Sequence, residues 1–595
     1  MHLDDFLKIV GEFGRYQRLQ YISICLINMY ATFNMLGSVF FTATPSYQCK
    51  VPQVYQNVTL APYNNLSSRL FPPNTSFPTD QDVNRVVPGT CSIVIQNVGN
   101  DTENFISAWT GQSDGNRTEL PCPEGRTYAK DIYTSTVVSE FDLACGSEWQ
   151  VSTSKSVFFI GKLIGDIISG VISDRFGRRP SVLLALMVSV LLGIATALIP
   201  SMVVYVVSQG IQGVLNGFYF NVAYTIAVEF VGPSKRNSAA ISMTYFFTLG
   251  YFVLVLFAYF IRDWRHLALA LYAPCILFGF FWLTLPESFR WLLSRGRHSE
   301  AEKLLRKVAR WNKVDVKEGD IQGVLKTSRD AKALAETFTP LDLVRTRRRL
   351  AITASMCFIW MVNGMVYYGV SLGTEDLGGN LYVNFTLMGA IEIPAYAFAI
   401  YAVNKIGRRT TLIGTMLLGG IGCLVSGCLT SDVHWLIVTF AIIGKMGISA
   451  SFVIIWLFTA ECYPTVMRII AIGMGSAFAR FGSALGPQIM MLKDFVSYLP
   501  MVIFGLSAIA AGFLAMLLPE TVNRKLPQNI REFDTLLNSA GLFGHCKAVD
   551  TESDNDSESF RTEDTPSDPD VDAKLMKNGT PAHSEDCTTS APNNV

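Results

Sequence analysis

A basic loop signature occurs twice in this chain, about 230 residues apart, and the two copies sit in matching surroundings. The first runs Gly170, Asp174, Arg175, Gly177, Arg178, Arg179 (GVISDRFGRR), and the second, diverged copy is Asn404, Lys405, Gly407, Arg408, Arg409 (NKIGRR). Each is followed by a second cluster. Glu229, Pro233 and Arg236 begin 55 residues after Asp174, and Glu461, Pro464 and Arg468 begin 57 residues after Asn404. The Glu-to-Arg spacing is seven residues in both. One half has therefore been duplicated in parallel orientation.

The composition states the solvent of that duplicated unit. Half of the residues are hydrophobic and 16% are charged, against about a quarter charged in soluble domains. Runs of about 20 apolar residues, enough to cross roughly 30 Å of hydrocarbon, can be drawn twelve times. They fall near 19–42, 150–172, 181–199, 202–228, 238–261, 266–285, 350–372, 381–403, 410–429, 434–458, 468–490 and 498–518, and are numbered spans 1 to 12. Arg175, Arg178, Arg179, Lys235, Arg236, Arg347, Arg348, Arg349, Arg408 and Arg409 all fall on one side, which the positive-inside rule makes cytoplasmic. The expected fold is an all-α membrane protein of two six-helix halves with both termini cytoplasmic. The mixed charge of residues 1–18 does not fit a cleavable signal peptide. The net charge is zero, which implies no nucleic-acid partner.

The domain limits follow: an N-terminal half over 1–285, a cytoplasmic linker over 286–349, a C-terminal half over 350–518 and a tail over 519–595. From about residue 540 the tail is Asp, Glu, Ser, Thr, Asn and Pro, too polar to offset its ordering entropy, and is expected to be disordered. Residues 43–149 form a large extracellular loop. It carries five N-x-S/T acceptors, at Asn57, Asn65, Asn74, Asn100 and Asn116, and four cysteines, Cys49, Cys91, Cys122 and Cys145. In an oxidising compartment these read as two disulfides with three possible connectivities. Asn384, Asn555 and Asn578 match the acceptor pattern but lie at a membrane edge or in the tail. In the linker, Ser299 with Glu302 makes a capping box for a helix through about Trp311.

Charges inside apolar spans are costly, about 2.5 kcal/mol or more at the bilayer centre, so they are paired or face an aqueous cavity. The candidates are Lys162, Asp166, Glu392, Lys445 and Arg480. Lys162 and Asp166 are four apart and can neutralise each other; Glu392 and Lys445 can pair within the second half. Arg480 then remains, either as a fork for a substrate carboxylate or paired structurally, for example with Glu392. A quaternary or protonated amine needs aromatic faces instead. Phe33, Tyr219, Phe220, Tyr224, Tyr245, Trp360, Tyr367, Trp456 and Phe458 lie in spans 1, 4, 5, 7 and 10. No metal-ligand cluster, phosphate-cradling glycine loop or nucleophile motif is present, so no enzyme and no resident cofactor are expected.

Several runs together resemble one family: GVISDRFGRR, Pro286-Glu287-Ser288-Phe289-Arg290-Trp291-Leu292, the loop end Ser139-Glu140-Phe141-Asp142-Leu143-Ala144-Cys145, Tyr367-Tyr368-Gly369, LGGNLYVNF (377–385), Glu392-Ile393-Pro394-Ala395-Tyr396 and Thr459-Ala460-Glu461-Cys462-Tyr463-Pro464-Thr465. They are similar, over about residues 10–535, to solute carrier family 22 of the major facilitator superfamily, the organic cation, anion and carnitine transporters. FAYFIRDWR (257–265), EIPAY and Arg480 are most similar to the carnitine branch. The sequence departs from the family at Gln209, where Arg is common, and at Asn404 and Lys405, which replace Asp and Arg and weaken the second charge latch.

The resemblance implies a plasma-membrane carrier working by alternating access, its small organic cation or zwitterion held near the midplane. Arg480 would take a carboxylate, and Phe220, Tyr367, Trp456 and Phe458, with Trp360, would form an aromatic cage. Asp174, Arg178, Glu229 and Arg236 on one side, and Arg408, Glu461 and Arg468 on the other, would hold the cytoplasmic gate. Na⁺ coupling and a monomeric state are compatible with this reading. The alternatives are a facilitative, polyspecific organic cation carrier in which Arg480 is structural, and a non-transporting receptor on a carrier scaffold.

Overall fold

The computed structural model describes residues 3–50, 85–88, 90–96, 117–122, 124–330, 343–429, 434–464 and 467–522, with 527, 530 and 532–534 beyond them. The five expected glycan acceptors and the tail beyond 534 lie outside the described residues.

Long helices stand at all twelve expected places. In the first half they are Arg15–Leu36 (span 1, continued by Ser38–Phe41), Trp149–Phe176 (2), Arg178–Leu198 (3), Met202–Phe230 (4), Arg236–Phe260 (5) and Trp264–Tyr272 (6), the last extended by a 3₁₀ stretch, Ala273–Phe280, and by Phe281–Thr284. In the second half they are Arg347–Leu372 (7), Leu381–Ala390 with Glu392–Lys405 (8), Arg408–Cys428 (9), His434–Cys462 (10), Arg468–Met490 (11) and Leu499–Leu514 (12). Among the described residues, ten helical segments are long and apolar enough to cross a membrane. The helices of spans 4 and 11 are as long but carry more polar and small residues, among them Gln209, Gln212, Asn216 and Asn221 in one and Ser476, Arg480 and Ser483 in the other.

Helix ends and breaks follow local chemistry. Span 8 is interrupted at Ile391, because the ring of Pro394 clashes with the carbonyl of Ala390 and removes one backbone bond. Spans 2 and 4 approach closely at glycines: a Cβ on Gly161 would stand 2.2 Å from the Gly210 carbonyl oxygen, and one on Gly213 2.0 Å from that of Phe158. Small residues at this spacing replace the hydrophobic driving force that helices lack in lipid. Across the molecule, span 2 packs on span 11 and span 5 on span 8, joining the halves.

Among the described residues, the loop between spans 1 and 2 contains two small antiparallel sheets that the sequence reading did not anticipate. Tyr47–Cys49 pairs with Arg126–Tyr128, and Ser92–Gln96 is flanked by Arg85–Pro88 and Arg117–Pro121. Cys49 is bonded to Cys122 and Cys91 to Cys145, one of the three connectivities left open above. The remaining described cysteines are free, and all but Cys428 are buried. Asn384 sits buried in span 8 and donates to the Gly378 carbonyl at 2.7 Å.

Between the halves in sequence, the linker folds into helices Phe289–Ser294, His298–Asn312 and Glu318–Asp330. The capping box expected at Ser299 does not form: the helix starts two residues earlier, its N-cap is Arg297 with no side-chain cap, and Glu302 accepts from Arg306 instead. An ion pair one turn on competes for the carboxylate that the capping box requires. A short N-terminal helix, Leu3–Val10, buries Phe6, Leu7 and Val10 against this layer.

Candidate functional site

The two loop signatures fold alike. Gly177 and Gly407 both have φ of 110°, a conformation that an L side chain rarely adopts. Each lets span 3 or span 9 begin at once, with its first backbone N–H groups turned to a carboxylate brought from elsewhere. Glu287 accepts from the Arg178 and Arg179 nitrogens at 2.9 and 3.1 Å, and Glu520 from those of Arg408 and Arg409 at 2.9 and 3.0 Å. An anion at a helix N-terminus satisfies orphan donors and the helix dipole together. The neighbouring hydroxyls close the network: Ser288 donates to Glu229 and Thr521 to Glu461. The repeat thus has a third element, Leu285-Pro286-Glu287-Ser288 and Leu518-Pro519-Glu520-Thr521. It was readable in the sequence and not used.

The latch arginines stay within their own halves. Arg178 is shared between Asp174 at 2.6 Å and Glu229 at 3.9 Å. Arg408 makes a two-pronged pair with Glu461 at 2.9 and 3.0 Å. With Asn404 in place of an acid, bonded only to its own helix at Ile400, nothing draws Arg408 away from Glu461. The second latch is therefore the tighter in geometry, the opposite of the weakening expected from Asn404. Arg236 turns to Asp4 of the N-terminal helix at 3.1 Å rather than to Glu229. Arg468 Nε and Nη2 are buried with no hydrogen-bond partner.

Between the halves lies a polar layer. Arg480, in the middle of span 11, donates through Nε to Asp166 Oδ2 of span 2 at 2.9 Å. Its partner is thus neither a vacancy nor Glu392. Lys162 donates to Asn216 Oδ1 at 2.9 Å, lies over the Phe220 ring at 4.7 Å and stands 3.8 Å from Asp166 Oδ1. Glu392 pairs with Lys445 at 3.2 Å, both side chains fully buried, and also accepts from Tyr367, Tyr396 and Thr248. Lys445 sits 3.0 Å from the centroid of the Tyr367 ring.

Aromatic rings run in a chain along this layer: Tyr224 to Trp456 at 6.2 Å, Trp456 to Trp360 at 4.9 Å, Trp360 to Phe452 at 6.1 Å, Phe452 to Tyr367 at 5.7 Å. Phe220, Tyr224 and Trp456 keep partial exposure, whereas Trp360 and Phe458 are fully buried and Trp360 donates to Thr459 at 3.0 Å. Among the described residues, the hydrogen bonds and ion pairs that join the halves lie at this level or on the side of the loop between spans 1 and 2. There Lys155 of span 2 meets Glu375 at 3.6 Å, and Ser156 donates to the Ala484 carbonyl at 2.7 Å.

The sequence family model for sugar and other transporters matches residues 105–533. A Drosophila melanogaster "organic cation transporter protein" is 36% identical over 538 residues, 89% of this chain and 94% of the relative. The human "organic cation/carnitine transporter 2" is 31% identical over 91% of this chain and 94% of its own length, and mouse "solute carrier family 22 member 21" is 32% identical over 89% and 93%. The chain belongs to solute carrier family 22. As a fold, this family 22 carrier is similar to the xylose transporter of E. coli in its inward-open conformation, with a TM-score of 0.54 over 66% of this chain and 90% of that one, at 18% identity. It is a multi-pass membrane transporter of the major facilitator fold, for small molecules, and not an enzyme.

Of the residues singled out in the sequence, the structure brings Arg480, Phe220, Tyr367 and Trp456 to the layer between the halves. Asp166 is the member that helical spacing assigned only in part: the ion pair with Lys162 is present at 3.8 Å, and a second one joins it to Arg480. Its i+4 relation to Lys162 was visible; its bond to Arg480, 314 residues away, was not.

Proposed function

We propose that this carrier moves carnitine-like zwitterions and organic cations across the plasma membrane by alternating access, with both termini cytoplasmic. The observation that carries the reading is the charge of the central layer. Glu392 and Lys445 cancel, which leaves Lys162 and Arg480 facing the single carboxylate of Asp166. A net positive layer beside partly exposed aromatic faces suits a ligand with a carboxylate at one end and a quaternary amine at the other. Trp456 and Phe220 offer faces to the amine, Arg480 the fork to the carboxylate, and Tyr367, Trp360 and Phe458 the wall behind. The printed names of the relatives, organic cation and carnitine transporters, support the same substrate class.

With the described cross-half polar contacts at or outside the middle, this conformation corresponds to a carrier closed to the exterior. The cytoplasmic latches, including Arg468 with its two unbonded nitrogens, then engage across the halves in the opposite state. A second reading, a facilitative organic cation carrier, is favoured by the Arg480–Asp166 pair itself, which would make the arginine structural.

Uptake of carnitine and tetraethylammonium by Arg480→Lys and Arg480→Ala separates the two. Lys keeps the charge and loses the fork; Ala loses both. Carnitine uptake falls in the order wild type, Lys, Ala, with a loss of about 2–5 kcal/mol for the broken pair, well over tenfold in apparent KM, while tetraethylammonium is much less affected. Surface biotinylation normalises for abundance, and replacing Na⁺ in the same assay reads ion coupling. Equal depression of both substrates by Arg480→Ala overturns the zwitterion reading.

A further inference from the structure

Asp166 is poorly explained as a structural residue. Its Oδ2 is given to Arg480 of the opposite half, but its Oδ1 is buried and accepts no hydrogen bond. Lys162 stands 3.8 Å from that oxygen and is instead anchored to Asn216, which in turn donates to Tyr219 at 2.8 Å. Gly217 opens the notch in which the carboxylate lies: a Cβ there would come within 2.6 Å of Oδ1. Asp166 therefore has two basic partners, one on its own helix and one across the interface between the halves. A short swing of the carboxylate exchanges them.

A guanidinium near the bilayer midplane needs an anion whenever the layer is sealed from water. In a carrier loaded with a zwitterion, the substrate carboxylate meets that need. In the empty carrier it does not, and yet the empty carrier must reorient for net transport.

We propose that Asp166 is a resident stand-in for the substrate carboxylate. It holds Arg480 while the carrier is empty, so that the empty form can change sides, and it yields Arg480 to an arriving carboxylate by turning to Lys162. A cation without a carboxylate never displaces it, so Asp166 stays on Arg480 throughout that cycle. This rests on the carboxylate role of Arg480 proposed above.

The test compares net uptake with exchange in vesicles containing the full-length protein, using carnitine and tetraethylammonium as probes. In Asp166→Asn, net carnitine uptake falls at least tenfold while carnitine-for-carnitine exchange falls less than threefold, because loaded carriers supply their own anion. Tetraethylammonium flux falls at least tenfold in both modes. Asp166→Glu retains net uptake. Millimolar acetate on both sides raises net carnitine uptake in Asp166→Ala severalfold and leaves the wild type unchanged. Equal loss of net uptake and exchange for carnitine, or net uptake within threefold of the wild type, overturns the proposal. So does failure of both neutral variants to reach the vesicles, which would assign Asp166 to folding. Absence of carnitine flux in the wild type overturns the carboxylate reading itself, and normal wild-type exchange with a proportional loss in Asp166→Asn overturns only the stand-in role.

Discussion

Glu287 and Glu520 show how one side chain can set the position of three helices. Each carboxylate leaves the end of span 6 or 12, caps the first turn of span 3 or 9, and lies beside a hydroxyl that holds the end of span 4 or 10. Burial pushes the Glu287 carboxyl above its ordinary range, opposed by the backbone N–H groups of Ser288, Arg179 and Arg178. Glu→Gln at either site keeps shape and loses charge, so each costs about 0.5–2 kcal/mol of stability. Glu287→Gln should fall at the low end, since burial already penalises the ion there. Thermal unfolding of the detergent-solubilised protein measures both, and an unchanged midpoint for Glu520→Gln refutes the capping role. Both glutamates stood in the sequence within Leu-Pro-Glu-Ser and Leu-Pro-Glu-Thr, but a four-residue resemblance carries no distance. Only the fold shows that 109 and 112 residues of chain return to the same helix start.

Among the elements, the N-terminal helix Leu3–Val10 is the one whose docking depends most plainly on charge. Asp4 lies between Arg290 at 2.6 Å and Arg236 at 3.1 Å. Burial alone would raise its pKa, but the two arginines outweigh it and hold the carboxyl below its ordinary value of 3.8. A lowered folded-state pKa means that the stabilisation is fully present above that ordinary value and is lost as pH falls through the lower, folded one. Asp4→Asn should remove it at neutral pH, seen as faster amide hydrogen exchange in Leu3–Val10 with spans 9–12 unaffected. Equal protection in mutant and wild type would show that Phe6, Leu7 and Val10 hold the helix alone. Elements were legible where the pattern was long: the apolar runs gave all twelve helix places, and Pro394 marks the break in span 8. The sheets of the loop between spans 1 and 2 were not, because five strands of three to five residues leave too short a pattern to read between Pro, Gly and Asn. The capping box at Ser299 failed because a local rule met a competing ion pair.

For the whole molecule, the closure to the exterior proposed above rests on contacts that no sequence periodicity encodes. Lys155 and Glu375 face each other across the halves with side chains 8% and 19% exposed. Lys155→Glu sets two carboxylates together and should favour opening to the exterior, and adding Glu375→Lys should restore the pair. In a Cys428→Ser background, labelling of Ser156→Cys by a membrane-impermeant maleimide reports this as a severalfold faster reaction for the single reversal and a return toward the parent rate for the double. A double reversal that labels as fast as the single one would show that the pair does not hold the outer side shut. Arg480 illustrates the same limit: its residue type announced that a partner was required, but the choice between Asp166, Glu392 and a ligand belongs to the packing of span 2 on span 11.

The caps made by Glu287 and Glu520 each act within one half, whereas the Lys155–Glu375 pair bridges the two, and on the alternating access proposed above this difference sorts mutations into two kinds. Substitutions that weaken a bond wholly inside one half raise the energy of inward-facing and outward-facing forms alike, and are felt as lower expression or a lower melting temperature with the working equilibrium unmoved. Substitutions at a bridging bond that one form alone makes act on that form only, and there about 1.4 kcal/mol changes the ratio of the two forms roughly tenfold. A variant at Lys155 or Glu375 can therefore reach the cell surface in normal amounts and still be held almost entirely on one side of its cycle.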